Sequence, residues 1–185
     1  MRLRDYAVAM AAYNAWMNDK LYALCAALPD DERKRDRGAF FASIHGTLNH
    51  LLLGDQAWMQ RFSGESVSMR APEEELFADF DALRGARRRL DGRIADWAAA
   101  LPDDASDATF SFFSVTYNKH RTLPGWAPIV HFFNHQTHHR GQLTTLLSQL
   151  GIDPGVTDFP WMPFFDLDSD GPDQRIGRGR PAGGP

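Results

Sequence analysis

The sequence predicts an all-α protein, a four-helix bundle with a long crossover, short strands within it, ahead of the last helix. Three observations lead there: four long stretches carry apolar residues three or four apart, about 25 residues rich in Phe, Thr, Val and Tyr separate the last two stretches, and neither an internal repeat nor a heptad array runs through the chain. A link of that length is too long for a simple antiparallel hairpin between helices.

The first helix is read over residues 5 to 28, where Met10, Tyr13, Met17, Leu21, Leu24 and Leu28 keep the spacing and Pro29 stops the run. DDERKRDRG follows as a charged connection whose Gly38 suits a turn. The second helix is read over 39 to 62, with Ile44, Leu48, Leu51, Asp55, Met59 and Phe62 in one stripe. Leu51, Leu52 and Leu53 in succession make other sides apolar too, which calls for more than one packing partner, a second subunit among them.

The third helix spans 72 to 101: Leu76, Phe80, Leu83, Leu90, Ile94, Trp97 and Leu101 form its stripe, interrupted only by Arg87, and Pro72 stands near its first turn. In the crossover, TFSFFSVTYN and KHRTLPGW read as two short strands separated and followed by turn residues. The fourth helix runs from Ala127 to Leu150, with Gly151 as its C-terminal stop. Residues 1–155 thus make one bundle and 156–185 an extension; WMPFFDL suits one docked turn, while 171–185 holds eight Gly or Pro in fifteen residues, the composition of a flexible tail.

At 185 residues, 43% hydrophobic and 24% charged, the chain is an ordinary soluble single domain, and no apolar run approaches the roughly 18 residues that span a bilayer. The N-terminus lacks the uninterrupted apolar stretch of a secretory signal, so a cytoplasmic location is expected. A net charge of −4 argues against a nucleic-acid partner. Cys25 is the one cysteine, so an internal disulfide and a Cys-based zinc cluster are excluded and the residue reads as a small core side chain.

The chemistry concentrates in HFFNHQTHHRGQ, where His131, His135 and His139 recur every fourth residue. On a helix His135 and His139 lie about 40° apart, close enough to grip one metal ion. Phe132, Leu143, Leu146 and Leu150 project onto or beside the same arc, so these imidazoles face an interior in which several together need a common reason, such as a divalent cation. With thiols excluded, any metal is held by His and carboxylate.

Two histidines on one helix need a donor from elsewhere. His50 is the best candidate, mid-helix with small Thr47 and Gly54 about one turn either way. It lies off the centre of its helix's apolar stripe, however, and His45 points about 140° away from it, so projection alone leaves the choice between them open. His131 lines the pocket or ligates; His138 falls at a boundary.

Two segments resolve that choice by resemblance. GTLNHLLLGDQAWMQRF at 46–62 and HFFNHQTHHRGQLTTLLSQLG at 131–151 resemble the two signature segments of the DinB family, and YNAWMNDKLY at 13–22 is similar to its opening helix. The likeness covers most of 1–155 in order and spacing. It implies a four-helix bundle, commonly dimeric, holding a divalent metal through one His of the second helix and two of the fourth, which here are His50, His135 and His139. It also implies kinship with thiol S-transferases and isomerases that use bacillithiol or mycothiol, in which the metal binds the cofactor's sulfur, and no contact with DNA.

Three imidazole ligands leave one coordination position open, as in catalytic zinc sites. Zinc is the first choice, with nickel and iron suiting imidazole as well. Gln142, Asn49, Asn134 and Asn14 are candidates to hold the outer ring N–H groups or to orient a small-molecule substrate. Two functions follow: a metal-dependent thiol S-transferase or hydrolase, using a low-molecular-weight thiol or water, with the aromatic crossover from Phe110 to Trp126 closing over the pocket; or a non-catalytic dimeric bundle whose metal is structural or vestigial. A ferritin-type di-iron site is excluded, because no Glu stands three residues before any His, and HExxH protease chemistry and a G-x-S-x-G elbow are absent.

Overall fold

A computed structural model of the chain describes residues 1–114 and 117–165. Four long helices, α1 (Leu3–Ala26), α3 (Ile44–Phe62), α4 (Phe80–Ala99) and α5 (Trp126–Gln149), form the bundle. A short helix, α2 (Asp30–Lys34), lies within the charged connection, and two strands, β1 (Thr109–Ser114) and β2 (Lys119–Pro124), occupy the crossover. Two 3₁₀ turns follow at Phe159–Trp161 and Pro163–Phe165. The all-α expectation with short strands before the last helix is met.

α1 packs against α4 and α5, and α3 packs against the same two helices, so α1 and α3 sit on one diagonal. Each long helix buries most of the stripe its spacing promised, and Met10, Leu24, Phe62, Trp97 and Leu150 pack partly buried against the same core. Met17, Leu21, Ile44, Leu48, Leu52, Leu83, Ile94, Phe132, Phe133 and Leu143 are buried in one continuous core, with Cys25 among them. Leu51, Leu52 and Leu53 are all buried within this single chain, so the apolar breadth of α3 is accounted for without a second copy.

Two helix starts differ from the sequence reading, and caps explain both. α3 begins at residue 44, not 39, because the Ser43 side chain accepts a hydrogen bond from the Gly46 N–H (3.0 Å). The residues before it turn sharply: Ala42 has φ of 59°, and a Cβ on Gly46 would meet the Phe41 carbonyl oxygen at 2.2 Å. α4 begins at residue 80 rather than 72, where Asp79 caps the Ala82 N–H (2.7 Å). Pro72 therefore belongs to an irregular linker, not to a helical first turn.

Arg87, the polar interruption of the α4 stripe, is fully buried between two carboxylates, Asp55 Oδ2 of α3 at 2.6 Å and Asp91 Oδ1 at 2.9 Å. Asn18 of α1 donates to Asp91 (3.0 Å), so three helices share one ionic knot inside the bundle. On the α5 side, Arg140 donates to Asn14 and to Thr137 (3.2 Å).

The crossover is an antiparallel hairpin in which Phe112 pairs with Arg121, Phe110 with Leu123 and Ser114 with Lys119. With a two-residue repeat, those six side chains share one face. Gly125 joins the hairpin to α5; its N–H donates to the Ala108 carbonyl (2.6 Å), and a Cβ there would stand 2.2 Å from the Ala105 carbonyl oxygen. α5 ends before Gly151, whose φ of 77° suits the glycine that the sequence offered as a stop.

Beyond α5, Met162 is buried in the core, Phe159 lies edge-on to Tyr13 (5.4 Å), and the Tyr13 hydroxyl donates to the Thr157 carbonyl (2.6 Å). The expected docked turn around WMPFF is thus in place against α1. The Gly/Pro-rich stretch 171–185 lies outside the described residues.

Candidate metal centre

His50 stands mid-way along α3, and His135 and His139 stand one turn apart on α5, which packs directly against α3. Their Nε2 atoms converge: 3.1 Å separates His135 from His139, 3.2 Å His50 from His139, and 3.3 Å His50 from His135. Among the described residues these three form the one group of His, Cys, Asp or Glu side chains placed to hold a metal ion.

The outer nitrogens decide what these contacts are. His50 Nδ1 lies 2.8 Å from the Pro72 carbonyl oxygen, and a carbonyl only accepts, so Nδ1 carries the proton and Nε2 a lone pair. His139 Nδ1 lies 2.8 Å from Gln142 Oε1, with the same consequence; the Gln142 amide nitrogen turns instead towards His138 (3.4 Å). Two acceptor lone pairs therefore face each other across 3.2 Å, an arrangement that a shared cation relieves and a hydrogen bond between neutral rings cannot. The three nearly equal spacings also match the edge of about 3.3 Å expected between nitrogens that each sit about 2.0 Å from a tetrahedral zinc.

Protonation would not relieve the contact near neutral pH. Burial pushes His50 down to about 4, against the opposing pull of its hydrogen bond to Pro72. Burial and the neighbouring rings push His135 down to about 3, and burial lowers His139 as well. All three are neutral imidazoles, the form a metal requires.

Close packing shapes the trio. A Cβ added to Gly54, one turn beyond His50, would meet His135 Cε1 at 2.9 Å, so the absence of a side chain lets that ring lie against α3. Phe41 stacks on the His50 ring at 3.7 Å between centroids and 16° between planes, and presents its edge to His139 at 5.5 Å.

The other candidates fall elsewhere. His45 is buried but turns to the Phe77 carbonyl (2.8 Å), away from the trio. His131 lines the cavity next to the trio, its ring 5.9 Å from His135 and 5.0 Å from Trp58. His138 and Asn134 are exposed. Gln142, one of the candidates to hold an outer ring N–H, serves His139. Asn49 holds no imidazole; its Oδ1 accepts from the Leu76 and Phe77 N–H groups (2.9 Å each), and its amide donates to the Phe77 carbonyl (3.1 Å). Asn14 is committed to Arg140. Sequence reasoning missed the roles of Phe41 and of the Pro72 carbonyl, because it read both residues as the starts of helices, whereas they lie in the irregular segments ahead of α3 and α4.

A cavity of about 690 Å³ opens beside the trio, bordered by His50, His135 and His139 and, farther out, by Trp58, Phe112 and Leu123. The hairpin face described above forms one of its walls, whereas Trp126 is exposed and takes no part. The imidazoles thus stand at the edge of the core with one side towards this space.

The sequence profile of the DinB family matches residues 3–174. The chain belongs to the DinB family. Protein DinB of Bacillus subtilis (strain 168) is 24% identical to it over 168 residues, which cover 85% of this chain and 93% of that protein. The helical bundle, the hairpin before the last helix and a histidine trio able to hold a divalent cation are therefore set within a DinB-family chain. No helix of the described residues is long and apolar enough to cross a membrane.

Proposed function

We propose that this DinB-family chain binds a divalent metal, zinc in first place and nickel or iron as alternatives, through His50, His135 and His139, and uses it in thiol S-transfer to, or hydrolysis of, a small molecule. The observation that carries this reading is the lone-pair contact between His50 and His139 at 3.2 Å, placed on the border of a cavity large enough for a substrate. A divalent cation held by three neutral imidazoles keeps a position for an exchangeable ligand and supplies the Lewis acidity that makes a thiol or water nucleophilic at neutral pH.

The chain's own residues do the rest. The Pro72 carbonyl and Gln142 hold the outer N–H groups of His50 and His139, fixing ring orientation and tautomer. Phe41 covers the His50 ring, and Phe112 and Leu123 of the hairpin keep the cavity apolar. A low-molecular-weight thiol is the proposed co-substrate for the transferase form of the reaction.

Metal analysis of the purified protein, beside a transfer assay with several small thiols, tests the proposal. His135→Ala is expected to lose both metal and turnover; turnover that survives in the metal-free variant refutes it. A large fall in melting temperature on chelation, with no turnover on any thiol, would assign the cation a structural role instead.

A further inference from the structure

The cavity has a second chemical character, set along α3 from the imidazoles. Besides Trp58, Met69, Phe112 and Leu123, three cations line it, Arg61, Lys119 and Arg121, and no acidic residue does. The Arg61 guanidinium lies 4.8 Å from the Trp58 ring centroid and 5.3 Å from that of Phe112. Arg61 is half-buried, its Nε is buried without a hydrogen-bond partner, and among the described residues none of the three cations has an ion pair.

The two fully buried guanidiniums of this protein have hydrogen-bonding partners: two carboxylates flank Arg87, and Arg140 donates to Asn14 and Thr137. Arg61 has only aromatic faces, and burial without an acid lowers its affinity for the proton. The hairpin register aggravates the imbalance, since Lys119 and Arg121, two residues apart on β2, share the cavity-facing side. Half-buried Arg61, with the solvent-exposed Lys119 and Arg121 beside it, brings three positive charges to one hollow of a chain with net charge −4. They are the complement of an anion, and a planar guanidinium suits a carboxylate or a phosphate in particular.

We infer that the cavity takes an elongated organic anion: its carboxylate or phosphate meets Arg61, Lys119 and Arg121, its apolar body lies among Trp58, Phe112 and Leu123, and its reacting atom reaches the imidazole trio. Arg61 follows His50 by eleven residues, about 16 Å of helix, so the acidic group stands well removed from the reacting one. The inference rests on the proposed function in making this anion a substrate, while the anion preference itself belongs to residues that do not touch the trio.

Calorimetric titration of the purified protein, its metal content measured in the same samples, tests it with 4-phenylbutyrate, phenyl phosphate and the neutral 4-phenylbutanamide. Either anion is expected to bind at least about tenfold more tightly than the amide, and Arg61→Gln is expected to abolish that preference while leaving amide binding unchanged. Whichever of the two acids binds more tightly identifies the anionic group. Equal binding of acid and amide, or a preference undiminished in Arg61→Gln, overturns the inference. Should Arg61→Gln fail to fold, the hairpin variant Lys119→Gln/Arg121→Gln decides, with a preference undiminished in it counting against the inference. A protein that carries no metal yet selects anions through Arg61 would sink the catalytic reading alone.

Discussion

Gly54 and His135 are in contact across the α3–α5 interface, so close that a methyl group on Gly54 would stand 2.9 Å from the His135 Cε1. The bare backbone of one helix is the seat of an imidazole from another.

Gly54→Ala is accordingly expected to displace the His135 ring and weaken metal binding by about ten- to a hundredfold, the range seen when the supports of a ligand are disturbed. Alanine is the better helix former by up to about 1 kcal/mol, so the melting temperature of the metal-free protein should not fall in parallel. Metal titration and thermal melts of the same variant separate the two effects; unchanged affinity would show that the ring has room to move.

Gln142→Ala removes the acceptor that holds the His139 Nδ1–H at 2.8 Å. The expected outcome is weaker metal binding of the same order, with His139 free to adopt the other tautomer. His131→Ala, a change in the cavity wall beyond the trio, should leave metal stoichiometry intact. Equilibrium dialysis followed by metal analysis reads both variants side by side.

The pH dependence of the metal-free protein has a definite sign. His50 and His135 are held at about 4 and about 3 by burial, below the ordinary value of 6.5 that they regain on unfolding. The unfolded chain therefore takes up protons first, and stability present above about pH 6.5 is lost progressively as the pH falls towards 4 and 3. Urea midpoints at pH 7.5, 6 and 5 should decline in that order, and His50→Gln/His135→Gln should flatten the decline.

Arg87→Met is expected to cost about 3–5 kcal/mol, because it leaves Asp55 and Asp91 buried without their cation. Arg88→Met is the control: Arg88 is exposed and pairs with Asp19 at the surface, where such a pair contributes less than about 1 kcal/mol. Urea denaturation of the two variants gives the comparison directly.

The same ionic knot shows what could be read from the sequence and what could not. Asp55 and Arg87 were the polar members of otherwise apolar stripes on different helices, and the structure joins them at 2.6 Å. Each stripe was visible as a local period, but the partnership depends on how α3 and α4 pack, which no local period encodes. The four long helices were legible for that reason, while the starts of α3 and α4 moved to residues 44 and 80, where the side chains of Ser43 and Asp79 cap the first turn.

At the candidate metal centre, the spacing of His135 and His139 was plain, and projection could not choose between His45 and His50. Both prove to be buried, so burial alone could never have separated them; what does is the acceptor each ring finds, Phe77 for one and Pro72 for the other. Phe41, Met69 and Pro72 border the cavity from irregular segments whose conformation is set by tertiary contacts.

Consecutive residues of α3 clasp the α3–α4 connection at two points, Asn49 at the main chain of 76 and 77 and His50 at that of 72. The few residues between those points form a span of prescribed length. Surface connections usually absorb extra residues without harm, but one inserted here would pull either a carbonyl from its imidazole or a backbone from its carboxamide. Variation in length along this connection should therefore concentrate before residue 72, where no ring depends on the count.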